Sequence, residues 1–322
     1  MRNKLCSRLF ADKAQSLFRC KAKKAKTALL GMFFVVASSA LYGLSPLIVT
    51  SLTDCGAHYS NIMFYKGVPA AVELAIISLM THQRIRLTRV ENRSMILVSF
   101  FRAATCFFLF GSYEWLATGL ATSIHFTFPA FVTLLCLVLF RERIGHSEGI
   151  SLLMAMSGIA LFVWNADNSR ASVTGIVFGI LSALLYGVYL VALKKCPIND
   201  VPPPVFAMYE MAYAAVFALI SSLIIGQMHF ALTKEGWIVA AIGATLTAIC
   251  AILMKAGVAR ISAQQASILC VLEPIVGVLA GVLILHEIIS IKVAIGSALV
   301  IGATLITCFQ SKCAPDAKSE DK

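Results

Sequence analysis

FPAFVTLLCLVLFRE, residues 128–142, recurs in outline far downstream as EPIVGVLAGVLILHE, residues 273–287. In each copy a proline opens an apolar run and a glutamate closes it. Pro129 and Pro274 are 145 positions apart, and so are Glu142 and Glu287. A proline inside a helix removes one backbone donor and displaces the carbonyl four residues earlier. Those carbonyls belong to His125 and Cys270. Two such kinks, one per copy, are expected to bend helices around a central cavity and to straighten as access switches. A static packing kink is the plainer alternative.

The surroundings of these runs set the class of the molecule. Of 322 residues, 59% are hydrophobic and 13% charged, against about 25% charged in a soluble domain. The apolar residues form blocks of roughly 18–24, the length that crosses a hydrocarbon core as a helix. Barrel strands alternate every second residue, and these blocks do not. The reading is an all-α integral membrane protein with ten spans, at 28–50, 60–80, 94–112, 117–140, 147–165, 173–193, 205–226, 236–256, 262–285 and 290–309. The first span is too long for a signal-peptide core and lacks a small-residue cleavage site after it, so it is expected to be retained.

Charge sets the orientation. The basic head 1–27 and the segments holding Arg84, Arg86, Arg89, Arg93, Arg141, Arg143, Lys194, Lys195, Lys255 and Arg260 fall on one side. The other side holds only Arg170, Lys234 and Lys292. Basic loops stay cytoplasmic, so both termini are expected inside, in a multi-pass protein of the cytoplasmic (inner) membrane. The net charge of +11 then reflects orientation rather than a nucleic-acid partner. Ten cysteines are present, but only Cys55 falls in an outside loop, so no disulfide framework is expected.

The chain also repeats itself outside the proline runs. Gly31–Gly43 ends in Leu41-Tyr42-Gly43, and Gly175–Gly187 ends in Leu185-Tyr186-Gly187, at an offset of 144. NIMFYKGVPAAV, 61–72, matches VFAMYEMAYAAV, 205–216, at the same offset. One inserted residue accounts for the 145 at the prolines. The expected organisation is a basic cytoplasmic segment 1–27, a first five-helix repeat 28–165, a second 173–309 and a cytoplasmic tail 310–322. Five is odd, so the repeats enter the membrane in opposite directions, as in secondary transporters with a midplane site.

Ionisable residues within a bilayer cost about 2.5–3.5 kcal/mol each on insertion scales and mark function by default. Those inside the expected spans are Lys66, Glu73, Arg102, His125, Glu210 and Glu273. Lys66 and Glu210 are repeat equivalents, and each follows a tyrosine. With Glu73 they form a gating or charge-pair set, for which interfacial snorkelling or bundle packing is the plainer reading. Arg102 can hold a carboxylate bidentately, either the substrate's or that of Glu73 or Glu273. Glu273, beside the second kink, is the leading site for an ammonium, a sulfonium or a proton. His125 stands at the first kink, with a satisfied interior histidine as its alternative. Tyr42, Phe128, Tyr186 and Tyr189 supply the apolar lining that small-molecule pockets use. The expected substrate-binding set is thus Tyr42, Arg102, His125, Phe128, Tyr186, Tyr189 and Glu273. Lys255, near a span end, is expected to snorkel. Glu142 and Glu287 are expected to fix helix ends. Gly175-xxx-Gly179 and Gly277-xxx-Gly281 are read as internal close packing.

YEWLATGLATSIHFTFPAFVTLLCLVLFRERI, 113–144, and VARISAQQASILCVLEPIVGVLAGVLILHEII, 258–289, resemble the hallmark segment of the EamA family of the drug/metabolite transporter (DMT) superfamily. The second copy, with Leu272-Glu273-Pro274, is the closer match. The first has Phe128 where the second has Glu273. The resemblance covers nearly the whole chain. It implies a ten-helix fold with a central cavity and transport without ATP hydrolysis. It also implies a substrate among amino acids and related metabolites, or a nucleoside-containing metabolite such as S-adenosylmethionine.

No HExxH-like spacing supports a metal or a membrane enzyme, and no Walker A loop supports a pump. No cofactor is expected. No TVGYG-like filter supports a channel, and the short tails offer no output domain for a receptor-like regulator. The function expected is secondary transport of a small amphipathic metabolite by alternating access, one half rocking against the other. Its partners are a small-molecule substrate and the lipid bilayer, with a proton or counter-substrate as coupling species; monomer and dimer both stand open.

Overall fold

The computed structural model describes residues 26–116, 118–141, 145–165, 172–227, 232–276 and 291–313. Glu142, Glu287, Gly277 and Gly281 fall outside the described residues, as do the basic head up to 25 and the tail from 314. The described residues are helical, with no strand among them. In chain order the helices are α1 (26–42), α2 (Ser45–Asp54), α3 (Ile62–Met80), α4 (Arg89–Ser112), α5 (Thr118–His125), α6 (Phe128–Phe140) and α7 (His146–Asn165). The second half holds α8 (Val173–Lys195), α9 (Pro203–Ile225), α10 (Lys234–Val258), α11 (Ala263–Cys270), a helical start at 273–276 (α12) and α13 (Ile291–Cys313). Among the described residues, seven segments are long and apolar enough to cross a bilayer by length and composition: Lys26–Asp54, Ile62–Met80, Arg89–Ser112, Ala121–Phe140, Val173–Lys195, Pro203–Ile225 and Lys234–Val258. Large apolar side chains such as Val72, Ile76, Leu134, Val138, Ile238 and Ile242 point outward, as they do where lipid is the solvent. This is a multi-pass membrane protein.

Both prolines break their helices where the sequence places the kinks. The α5–α6 break falls at 126–127 and the α11–α12 break at 271–272, again 145 apart. A third break, at 43–44 between α1 and α2, was not expected. Pro46 sits in the first turn of α2. Its repeat equivalent is Leu190, and there α8 runs through unbroken.

Helix ends fix the repeat register. His82 and Gly226 are 144 apart and are both left-handed, with φ of 51° and 77°. After α3, the Gln83 N–H donates to Ser78 O; after α9, the Gln227 N–H donates to Ser222 O. Both are Schellman-type ends. The next caps, Thr88 and Thr233, are 145 apart, each accepting from the backbone N–H three residues on. The inserted residue therefore lies in the second half, between Gln227 and Thr233. At Thr88 the cap is a full capping box with Glu91, which also pairs with Arg84.

The two repeats interlock rather than sit side by side. α3 packs on α9 and α10, α4 on α8 and α9, α7 on α13, and α6 on α8 and α11. At the α3–α9 crossing a Cβ on Gly67 would stand 3.0 Å from Met211 O. Gly175 and Gly179 give close approach to Leu116 and Ile124, so this pair packs inside the chain. The pseudo-twofold relation shows at side-chain level. Glu73 on α3 meets Thr245 on α10, and their equivalents Phe217 and Phe100 meet edge-to-face at 5.4 Å. Rocking of one whole repeat against the other would have to part the α3–α9 and α4–α8 interfaces, whose helices carry no break. Motion at the breaks would not.

His82 carries a Cβ in a conformation that suits glycine, at a cost of about 1–2 kcal/mol. The variant His82→Gly should raise the unfolding temperature of the detergent-solubilised protein, and Gly226→Ala should lower it. Opposite signs in a thermal melt confirm that the two helix ends are equivalent; equal signs refute it.

Candidate functional site

Six of the seven residues expected to line a substrate site are shown in contact around the α5–α6 break, and Glu273 faces the same centre from α12. Arg102, midway along α4, is held by ring faces. Its guanidinium carbon lies 5.1 Å from the Tyr42 ring centre and 5.7 Å from those of Tyr186 and Tyr189. Such contacts are worth about 0.5–2 kcal/mol each, more when dry. Tyr186 and Tyr189, one turn apart on α8, are stacked at 5.6 Å with 20° between planes. Phe128 meets Tyr186 edge-on at 4.6 Å. His125 packs against both Phe128 and Tyr186.

His125 is also tied down. The Ser182 hydroxyl donates to Gly179 O at 2.7 Å, and His125 Nδ1 stands 3.0 Å from the same Ser182 Oγ. With the hydroxyl proton so engaged, the arrangement has Nδ1–H donating to Ser182. That is the satisfied interior histidine the sequence allowed for.

Glu273 opens α12 just past the 271–272 break, and its Oε1 is buried with no hydrogen-bond partner. Arg102 stands within electrostatic reach of it. The α1–α2 break brings Gly43 directly against this point. A Cβ there would sit 2.7 Å from Glu273 O and from Val276 Cβ. The unexpected first break thus seats Tyr42 beside Arg102 and its neighbour Gly43 against the kink.

Glu210 and Lys66 do not pair with each other. Glu210 is fully buried, both carboxyl oxygens lack hydrogen-bond partners, and Arg102, Tyr189 and Lys255 are the polar groups around it. The Tyr189 hydroxyl lies beside the carboxyl without closing a hydrogen bond to it. Lys66 is buried over the Phe110 ring at 5.5 Å, its stem laid against Gly243. Glu73 stands apart from this centre, at the α3–α10 surface, where Thr245 lies 3.0 Å from each of its oxygens.

Lys255 corrects a sequence expectation. It does not snorkel. It is 2% exposed, lies over the Phe206 ring at 5.0 Å and donates to Ile198 O at 2.8 Å. Lys194 likewise donates to Val258 O, at 3.0 Å. These lysines tie the C-terminal ends of α8 and α10 together. Lys194 reaches a carbonyl of the last turn of α10, and Lys255 reaches the loop that follows α8. Gly43 and Ser182 escaped the sequence reading as site residues; only Gly43 carried a signal, as part of the repeated Leu-Tyr-Gly.

The variant Gly43→Ala should cost about 1–3 kcal/mol by overpacking, read as a drop in detergent melting temperature. Gly149→Ala, with nothing within 4 Å of the added Cβ, should not lower it. Equal melts for the two would refute the close approach of the first break to Glu273.

The profile of the EamA-like transporter family matches twice, at residues 29–164 and 173–309. An uncharacterized transporter of Archaeoglobus fulgidus is 26% identical over 189 residues, 58% of this chain and 66% of that protein. One of Haemophilus influenzae is 26% identical over 172 residues, 52% of this chain and 56% of its own length. One of Synechocystis is 27% identical over 195 residues, covering 58% and 57%. The chain thus spans between 56% and 66% of these relatives. A solved crystal structure superposes with a TM-score of 0.73 at 18% identity, over 87% of this chain and 98% of the other, and shares the fold. With the family profile covering both halves, the chain belongs to the EamA-like transporter family of the drug/metabolite transporter superfamily.

Proposed function

We propose that the protein is a secondary transporter carrying a small amphipathic metabolite, an amino acid or a related compound, across the cytoplasmic membrane by alternating access. In this reading both termini are cytoplasmic and the loops 55–61 and 113–116 face outward. The observation that carries the proposal is the state of Arg102. It lies mid-span, beside two broken helices, with three tyrosine rings against it and no ion pair among the described residues. A charge left without a salt bridge at that depth is expensive and suits a site that the cargo completes. Arg102 takes the substrate's carboxylate, and Glu273 takes its cationic end. Tyr42, Tyr186, Tyr189 and Phe128 cover its apolar part, and His125 buttresses that wall.

Access switches by bending at the 43–44, 126–127 and 271–272 breaks. The α3–α9 and α4–α8 interfaces bind the two repeats together and are kept intact. A second reading, a nucleoside-containing metabolite such as S-adenosylmethionine, draws support from the stacked tyrosine pair. Flat rings at 20° offer a face to a nucleobase, and Glu273 would then meet the sulfonium.

Counterflow in proteoliposomes with a labelled panel of aromatic and small amino acids and S-adenosylmethionine tests this. One class should exchange saturably. Arg102→Ala and Glu273→Gln should abolish or strongly reduce that exchange while the melting transition is retained. Normal exchange in both folded variants overturns the site. Absence of exchange for every compound overturns the substrate classes.

A further inference from the structure

One face of α4 runs outward from the central site as Arg102, Cys106 and Phe110, each one turn beyond the last. Lys66, near the outer end of α3, lies over the end of that stripe. It is 3% exposed and makes no hydrogen bond or ion pair among the described residues. The Phe110 ring is its partner, at 5.5 Å, and Gly243 leaves room for its stem. Arg102 is close enough to act on it electrostatically, and Cys106 is close to both. Lys66, buried, and Arg102, half-buried, therefore lie along one stripe, and no carboxylate forms a salt bridge with either among the described residues. Like charges brought together out of water repel strongly. A protein that keeps such a pair unpaired is built to receive an anion between them.

The opposite polarity lies on the other side of Arg102. Glu210 has both oxygens buried and unpartnered, and Glu273 has one. Across the site, then, the charges run from two cations to two acids, with Lys255 beside Glu210 at the far end.

We propose that Lys66 and Arg102 form a two-cation site for the carboxylate of the cargo, with Lys66 the first contact on the outer side, so that the transported molecule is a zwitterion that enters with its anionic end ahead of Arg102. This assigns substrate contact to Lys66 rather than gating, and it rests on the carrier reading for the identity of the cargo but not for the anion site itself.

Cys106 reports on that site directly. Purified full-length protein is treated with an anionic reagent, 2-sulfonatoethyl methanethiosulfonate, or its cationic counterpart, 2-(trimethylammonium)ethyl methanethiosulfonate. In both cases the thiolate attacks the reagent sulfur, forms a mixed disulfide and releases methanesulfinate. The Cys106 peptide is quantified by mass spectrometry, and each rate is normalised to a free thiol in solution. Taking the ratio of the two rates removes any change in thiolate fraction. The anionic reagent should be favoured by about tenfold or more, since one unit charge at this depth is worth at least that factor. Lys66→Gln should cut the ratio several-fold, and Lys66→Arg should restore it. A ratio near one, a ratio that Lys66→Gln leaves unchanged, or no labelling by either reagent overturns the anion site.

Counterflow supplies the cargo arm. For whichever amino acid exchanges, Lys66→Gln should raise the half-saturation concentration of the free acid and leave competition by its methyl ester unchanged. Equal losses for acid and ester show that Lys66 does not meet the carboxylate and overturn the proposal. If nothing in the panel exchanges while the labelling ratio holds, the carrier's substrate class fails and the anion site stands. If exchange runs and the ratio is flat, the reverse holds.

Discussion

A guanidinium in the middle of a bilayer has to be held by something, and here it is held by tyrosine faces. That arrangement governs the rest of the site. Arg102 needs three rings within reach, and these come from α1 and α8. For Tyr42 to arrive, the first span must stop and turn at 43–44, which Pro46 and the close seat of Gly43 on Glu273 O allow. For Tyr186 and Tyr189 to stay in place, Phe128 and His125 must back them, and that fixes where the α5–α6 break lies. The broken helices are thus tied to the cation as much as to their prolines. A ring face stabilises the charge without neutralising it, which leaves Arg102 open to an incoming anion where a carboxylate partner would have closed it.

Backbone breaks impose their own condition. Groups freed at membrane depth must be buried in protein or line a cavity. Here each break faces the others across the central site, and hydroxyls take up nearby carbonyls. Thr127 Oγ1 donates to Ile124 O, and Thr133 Oγ1 to Pro129 O. Irregular backbone and interior ionisable side chains therefore occupy the same place for the same reason.

Much of this was written in the sequence, and the parts that were not share a cause. Span positions follow from apolar blocks and kinks from Pro129 and Pro274. The association of Tyr42 with Tyr186 follows from the repeated Leu-Tyr-Gly. What could not be read is which way each helix turns. A helix that is apolar all round carries no phase information, so Lys66 and Glu73, seven apart on α3, fell into one charge set. The structure seats Glu73 on Thr245 and Lys66 over Phe110, with Pro69 lying between them in the helix. Lys255 was misjudged because its position near a helix end suggested water. Its actual surroundings are the Phe206 ring and the carbonyl of Ile198. The first break was missed because Pro46 has no partner in the second repeat.

The lack of a partner for Pro46 is one case of a wider pattern, in which the backbone is repeated but the chemistry is not. Glu73 with Thr245 answers to Phe217 with Phe100. Lys66 beside Phe110 answers to Glu210 beside Lys255. Arg102 answers to Thr247, whose hydroxyl is spent on Gly243 O. An inverted repeat by itself makes the two membrane faces equivalent, since exchanging the halves exchanges the open sides. Here lysine occupies the position toward one face and glutamate its equivalent toward the other, while the single arginine sits between. The two halves then share a backbone geometry but differ in the charge they place near the centre. The molecule thus has a chemical direction that its fold alone does not supply.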